Sequence, residues 1–279
     1  MKNLTATLTA ALVICLVIQC TQGDKRVSLR FKYEPGMMLA YKQTTRNSWR
    51  ATDDDSLLEE SSVTYKVAMS SNVLDVAADS TAELLDSTTW SWTSRSKEDS
   101  TQSETVEKTR VMTLFVQPNG RIIDVSFSSE DKATSVTWLK NYFEQGMPVF
   151  PQRELTVEDT WTQTTKVLLP DETLDASTTY KIKSLVREAG YDCAVIEYEG
   201  NMIIPIEPYK KDDCERQGFD HVDITGVTYF AYKEGIVVME RQNWTAKGYR
   251  EKICNGKTEN YIVTSQSNID YRLVGFSRP

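Results

Sequence analysis

Apolar and polar residues alternate over almost the whole chain, and this restricts its fold more than any other feature. Val27-Ser28-Leu29-Arg30-Phe31-Lys32-Tyr33 alternates without interruption. The same period recurs in Met38 to Thr44, Val63 to Met69, Arg110 to Val116, Tyr180 to Val186, Ala194 to Tyr198, Val227 to Tyr232 and Ile236 to Glu240. A period of two, enriched in Val, Thr, Tyr and Trp, marks strands with one buried and one wet face. Antiparallel sheets carry that signature, because parallel strands are usually buried on both faces. Gln117-Pro118-Asn119-Gly120 and Lys233-Glu234-Gly235 fall between such runs and predict tight hairpins, hence meanders.

One segment departs from the pattern. Residues 130–145 contain no Gly or Pro, and Val136, Leu139 and Phe143 recur at helical spacing, with Trp138 and Tyr142 widening the apolar face. Ser128 or Ser129 can cap its start, and Gly146 with Pro148 can end it. The spacing predicts one amphipathic helix.

An internal repeat organises the rest. Thr64-Tyr65-Lys66 matches Thr179-Tyr180-Lys181 at an offset of 115, and Phe115 and Gly120 match Phe230 and Gly235 at the same offset. Ala82 to Asp86 parallels Ala194 to Tyr198 after a small gap. The expected fold is mainly β: two duplicated antiparallel meanders forming a large curved sheet, half-barrel or sandwich. The helix lies between the halves, which span 24–146 and 147–279.

The first residues bear on compartment. Lys2, the uncharged apolar run Leu8 to Ile18, and Thr21-Gln22-Gly23 before the polar Asp24-Lys25 have the order of a secretory signal peptide. Residues 1–23 are read as that signal, and the protein as exported, periplasmic or secreted. An alternative is a lipid anchor on Cys20, after Val17-Ile18-Gln19. Cleavage after Gly23 leaves 31 basic against 40 acidic residues. An acidic chain without a basic patch suits neither phosphate backbones nor anionic membranes, so no nucleic-acid partner is expected. No later segment is apolar enough to span a membrane as a helix.

Three cysteines remain after cleavage: Cys193, Cys214 and Cys254. Three thiols in an oxidising compartment imply one disulfide and one thiol left over. The hairpin around Gly235 brings its open ends side by side, with Cys214 in the loop entering it and Cys254 in the loop leaving it. Cys214–Cys254 is therefore the expected pair, and Cys193, followed by Ala194-Val195-Ile196, the buried free thiol. Residues Glu207 to Asp220 are expected to form a long polar loop.

Candidates for chemistry are few. The only histidine, His221, stands between Asp220 and Val222, and no Gly-x-Ser-x-Gly elbow offers it a nucleophile. Asp53-Asp54-Asp55 with Glu59-Glu60, and Asp212-Asp213 with Glu215, lack the alternating ligands and central Gly of a calcium loop. No catalytic residue, metal site or cofactor is expected. The aromatics are more suggestive: Trp90 and Trp92 share one strand face and Trp138 and Tyr142 one helix face. They are either core filler or the wall of a cavity for an apolar ligand. Two readings follow: a non-enzymatic binder of a hydrophobic ligand or lipid, and a structural or protein-interaction module with a filled core.

Pro151 and Leu155-Thr156-Val157-Glu158-Asp159-Thr160-Trp161 resemble the Pro…Val-x-x-Gly-Asp-x-Trp stretch of uncharacterised bacterial exported β-rich proteins. Positions Tyr180-Lys181-Ile182, Cys193 to Tyr198 and Gly235-Ile236 are also similar. That resemblance implies an exported β fold and no activity. Glu158 stands where those proteins carry Gly, so the turn there is expected to differ. A looser similarity is to half-barrel lipoprotein carriers, which implies a sheet curved around a lipid.

Overall fold

The computed structural model describes residues 25–53, 56–96, 105–127, 145, 147–168, 173–211 and 213–279. These form eleven strands: β1 (Met38–Asp53), β2 (Ser56–Val76), β3 (Ala82–Ser96), β4 (Thr105–Val116), β5 (Ile122–Phe127), β6 (Thr160–Leu168), β7 (Thr173–Glu188), β8 (Tyr191–Lys211), β9 (Cys214–Ala231), β10 (Ile236–Cys254) and β11 (Lys257–Ser277). Their order is β5-β4-β3-β2-β1-β11-β10-β9-β8-β7-β6, antiparallel throughout. The sheet is open and curved.

The sandwich alternative is thereby corrected: there is one sheet. Its physical cause is β11, which pairs with β10 on one side and with β1, from Met38↔Ser277 to Thr52↔Ile262, on the other. That seam joins the two meanders edge to edge, so the sheet buries one face by curving and not by stacking on a second sheet. The expected helix falls almost wholly in residues 128–144, outside those described; the described residues contain no helical element.

Burial alternates along the strands and defines an inner face. Two apolar clusters fill its lower end. One gathers Leu39, Tyr41, Val73, Leu84, Leu114, Val125 and Val238; the other gathers Tyr180, Ile182, Ile196, Tyr198, Ile224 and Phe230 with Val27, Leu29 and Phe31. Val27 to Tyr33 alternates as expected but is not a sheet strand. It is a strap with a single bridge, Val27↔Leu155, and bonds to both hairpin turns: Phe31 N–H donates to Pro118 O (2.7 Å) and Lys32 N–H to Gly235 O (3.3 Å). The alternation reported which side chains are buried, and a strap across a curved sheet buries every second residue just as a strand does. Phe31, Phe150 and Phe230 meet with centroids 4.7–5.5 Å apart and close this end. Gly235 has φ +75°, and a Cβ there would lie 2.5 Å from the Lys32 nitrogen, so only glycine lets strap and turn touch.

Glu207 to Asp220 is not a long loop: β8 runs to Lys211 and β9 starts at Cys214. The charged run is carried on paired strands, with Lys210 opposite Glu215 and Lys211 opposite Cys214, so charge alone did not predict a loop. The turn at Glu158 has φ +74°, the left-handed region that glycine enters without strain. Glu158 is held there by its N–H donating to Ile182 O (2.7 Å) and by an exposed ion pair to Lys181 (2.5 Å). Glu158→Gly is expected to raise stability by about 0.5–1 kcal/mol, because relief of backbone strain outweighs a surface ion pair and the extra unfolded-state entropy. Urea unfolding of both proteins measures it; a loss of stability would show that the ion pair dominates.

Candidate ligand site on the inner face

Strand register lines up the inner-face side chains in rows across the sheet. One row reads Trp92, Tyr65, Thr45, Ile269, Gln242, Gly226, Tyr198, Tyr180, Trp161, each residue the Cα partner of the next. Nine strands thus place five aromatic residues on one level. The C-terminal side of the row is packed shut. Trp161 stacks on Tyr180 at 5.2 Å, Tyr180 meets Tyr198 at 5.6 Å, and the Tyr198 ring fills the space over Gly226, where a Cβ would lie 2.3 Å from Cζ. The N-terminal side is looser: Trp92, Tyr65 and the neighbouring Trp90 are only half-buried. The Arg110 guanidinium lies 5.2 Å from the Trp90 ring and 5.6 Å from Phe127.

Below this level, polar groups interrupt the apolar floor. Glu240 Oε1 accepts hydrogen bonds from the Tyr198 hydroxyl (2.6 Å), Gln242 Nε2 (2.8 Å) and the Thr228 hydroxyl (3.2 Å); Trp244 Nε1 donates to Gln242 Oε1 (3.0 Å). Asp86 accepts from the Ser71 (2.7 Å) and Thr88 (2.8 Å) hydroxyls, and burial raises its pKa above 3.8 despite them. A raised carboxyl pKa contributes stability fully below the unfolded value, and that contribution is lost as pH rises through the folded value. Asp86→Asn is therefore expected to melt higher than the parent at neutral pH and to lose that advantage near pH 3.8. An advantage independent of pH would assign the effect to something other than the buried charge.

The level above opens into a hollow of about 500 Å³ at the far end of the sheet, lined by Trp49, Ala51, Tyr261, Val263, Arg250 and Lys252 among others. Two of its cations are matched by carboxylates: Arg250 Nη2 lies 2.5 Å from Asp220 and Lys252 Nζ 3.0 Å from Glu259. A second hollow, about 420 Å³, lies on the outer face and is lined by His221, Asp223, Lys247, Arg50 and Glu60. His221 pairs with Lys247 across β9 and β10, so the sheet itself separates it from Asp86 and Glu240.

Of the aromatic candidates, Trp90 and Trp92 share the inner face with Tyr65. Trp138 and Tyr142 lie outside the described residues. The sequence reading missed Tyr65, Asn47, Gln242 and Glu240 as inner-face groups. Tyr65 stood in the repeated Thr-Tyr-Lys, but nothing local marks Asn47 or Glu240. The disulfide is Cys214–Cys254, a sequence separation of 40, and it bonds strand ends and not loops. Cys193 is a buried free thiol, pushed up to about 11 chiefly by burial. No group of three or more His, Cys, Asp or Glu that could hold a metal ion occurs among the described residues. No helix among them is long and apolar enough to cross a membrane.

Neither a family model nor a curated protein matches the chain. Two solved structures are similar at a low level. An outer-membrane channel from Pseudomonas putida F1 is 7% identical, with 87% of this chain and 97% of that chain covered and a TM-score of 0.28. The β domain of a Bordetella autotransporter is also 7% identical, with 84% and 99% covered and a TM-score of 0.26. Likenesses at that level carry no argument about this chain.

Proposed function

We propose that this is a non-enzymatic, exported binding protein that holds a ligand with apolar surface, such as a lipid, against the inner face of its curved sheet. The observation that carries the reading is the half-buried aromatic bank of Trp90, Trp92 and Tyr65, set on the same face as the hollow beside Trp49. A sheet that needed only a core would close over such side chains, as this one does at its other end. The disulfide supports export, since such bonds persist in oxidising compartments. The signal-like residues 1–23 point the same way.

Native mass spectrometry of the protein purified from its exported fraction, with lipid extraction in parallel, tests this directly. The expected result is a co-purifying apolar molecule that is lost on denaturation and on Trp92→Ala. A ligand-free mass, together with no uptake of octyl-chain probes, would overturn the reading in favour of an interaction module.

A further inference from the structure

A row of basic side chains crosses the floor of the 420 Å³ hollow on the outer face. Arg50 on β1 pairs with Thr264 on β11, Thr264 with Lys247 on β10, and Lys247 with His221 on β9. Strands lie about 4.8 Å apart, so the Cα atoms of Arg50 and Lys247 are about 10 Å from each other, with the Thr264 hydroxyl between. Arg50, Thr264 and Lys247 are all exposed, and solvent reaches the whole row. Neither Arg50 nor Lys247 makes an ion pair with a described residue. On the same face Arg241 and Arg272 instead share Asp270. The Lys247 ammonium rests 5.4 Å from the Tyr249 ring, which packs on Phe219 at 5.3 Å. Phe219 in turn packs on the apolar cluster of Val167, Ala176 and Ile203, so this wall is anchored. The hollow's carboxylates stand at its two ends: Glu60 is the cross-strand partner of Arg50, and Asp223 that of Thr245.

We propose that this hollow binds a phosphate group, held over Thr264 between Arg50 and Lys247. The phosphate oxygens accept charge-assisted hydrogen bonds from the guanidinium and the ammonium, and a further one from the threonine hydroxyl. His221, directly across from Lys247, supplies an imidazole N–H as a fourth donor. The end carboxylates select what carries the phosphate. Glu60 and Asp223 repel a bare anion, whereas the hydroxyls of a sugar donate to them, so a phosphorylated sugar matches the hollow better than the free ion. Such a site needs local positive charge and not a basic chain, and 40 acidic against 32 basic residues do not oppose it. The sheet separates this hollow from the inner-face aromatic bank, so the proposal is independent of the binding reading above.

The test is calorimetric titration of the full chain at low ionic strength with glucose 6-phosphate, inorganic phosphate and glucose. Glucose 6-phosphate is expected to bind at least about tenfold more tightly than glucose. Arg50→Gln and Lys247→Met are each expected to weaken it by about fivefold, and the double variant to abolish the preference. Arg272→Gln, on the same face but outside the hollow, is expected to leave it unchanged. Melting curves verify that the variants fold, which the exposure of both side chains favours. No binding of either phosphate, or a double variant that binds like the parent, overturns the proposal. Glucose 6-phosphate binding more tightly than inorganic phosphate, with the difference lost on Asp223→Asn, identifies a phosphorylated sugar. Equal binding of the two identifies the free ion as the ligand of the same phosphate site.

Discussion

Replacing Cys214 and Cys254 together by serine is expected to lower stability by about 4 kcal/mol, the chain-entropy value for a loop of this length. The bond closes a separation of 40 residues and joins the start of β9 to the end of β10. Both ends lie far from the strap and the Phe31, Phe150 and Phe230 cluster, so among the described residues no large apolar cluster duplicates the constraint there. Urea unfolding of parent and double variant, with the parent repeated under reductant, measures the effect. The expected pattern is a lower midpoint for the variant and for the reduced parent, with hydrogen exchange rising first at Glu215 and Ile253, the adjacent pair. An unchanged midpoint would show that the unfolded chain is already constrained in this region. Cys193 serves as internal control: buried and with a raised pKa, it is expected to resist alkylation until the protein unfolds.

A comparable loss is expected from one buried glutamine. Ladder pairing between β7 and β8 ends at Thr178↔Gly200, and beyond it β8 pairs, among the described strands, with β9. Asn201 Oδ1 accepts from Ser177 N–H (2.7 Å) at the split. Two residues on, Gln145 takes the place of a neighbouring strand: its Nε2 donates to Ile203 O (2.8 Å) and its Oε1 accepts from Ile203 N–H (2.7 Å). Gln145→Leu would leave both backbone groups buried and unpaired, at about 1–3 kcal/mol each. The expected net loss is about 3 kcal/mol, with faster exchange of the Ile203 amide. Gln145→Glu keeps the acceptor but sets a carboxylate against the Ile203 carbonyl. That raises the carboxyl pKa in the folded state, so stability should return as pH falls and the acid becomes a donor. A Gln145→Leu protein as stable as the parent would mean that this split is solvated.

The split also shows where local sequence stops informing. Nothing near Gln145 distinguishes it from a surface glutamine, because its role depends on β8 outrunning its neighbour more than fifty residues later. Asp86 and Glu240 are similar cases. Each sits at an inward position of an alternating strand, where the pattern predicts an apolar residue, and each is tolerated because hydroxyls or amides from its own and other strands reach it. Glu158 is the converse. The resemblance to exported β-rich proteins already implied glycine at its place, and the structure finds it at φ +74°.

What the sequence determined by itself was set by short-range physics. Period-two alternation specified which side chains are buried, glycine-containing turns specified the hairpins at Gly120 and Gly235, and hairpin geometry selected Cys214–Cys254 from three pairings. Tertiary structure decided what depends on distant partners. It turned Val27 to Tyr33 into a strap, because the strap's backbone found hairpin turns and not a strand edge. It made one sheet out of two meanders, because β1 and β11 had matching free edges. It brought Trp92, Tyr65, Asn47 and Trp244 onto one surface, because register across antiparallel strands is fixed only when all of them pair.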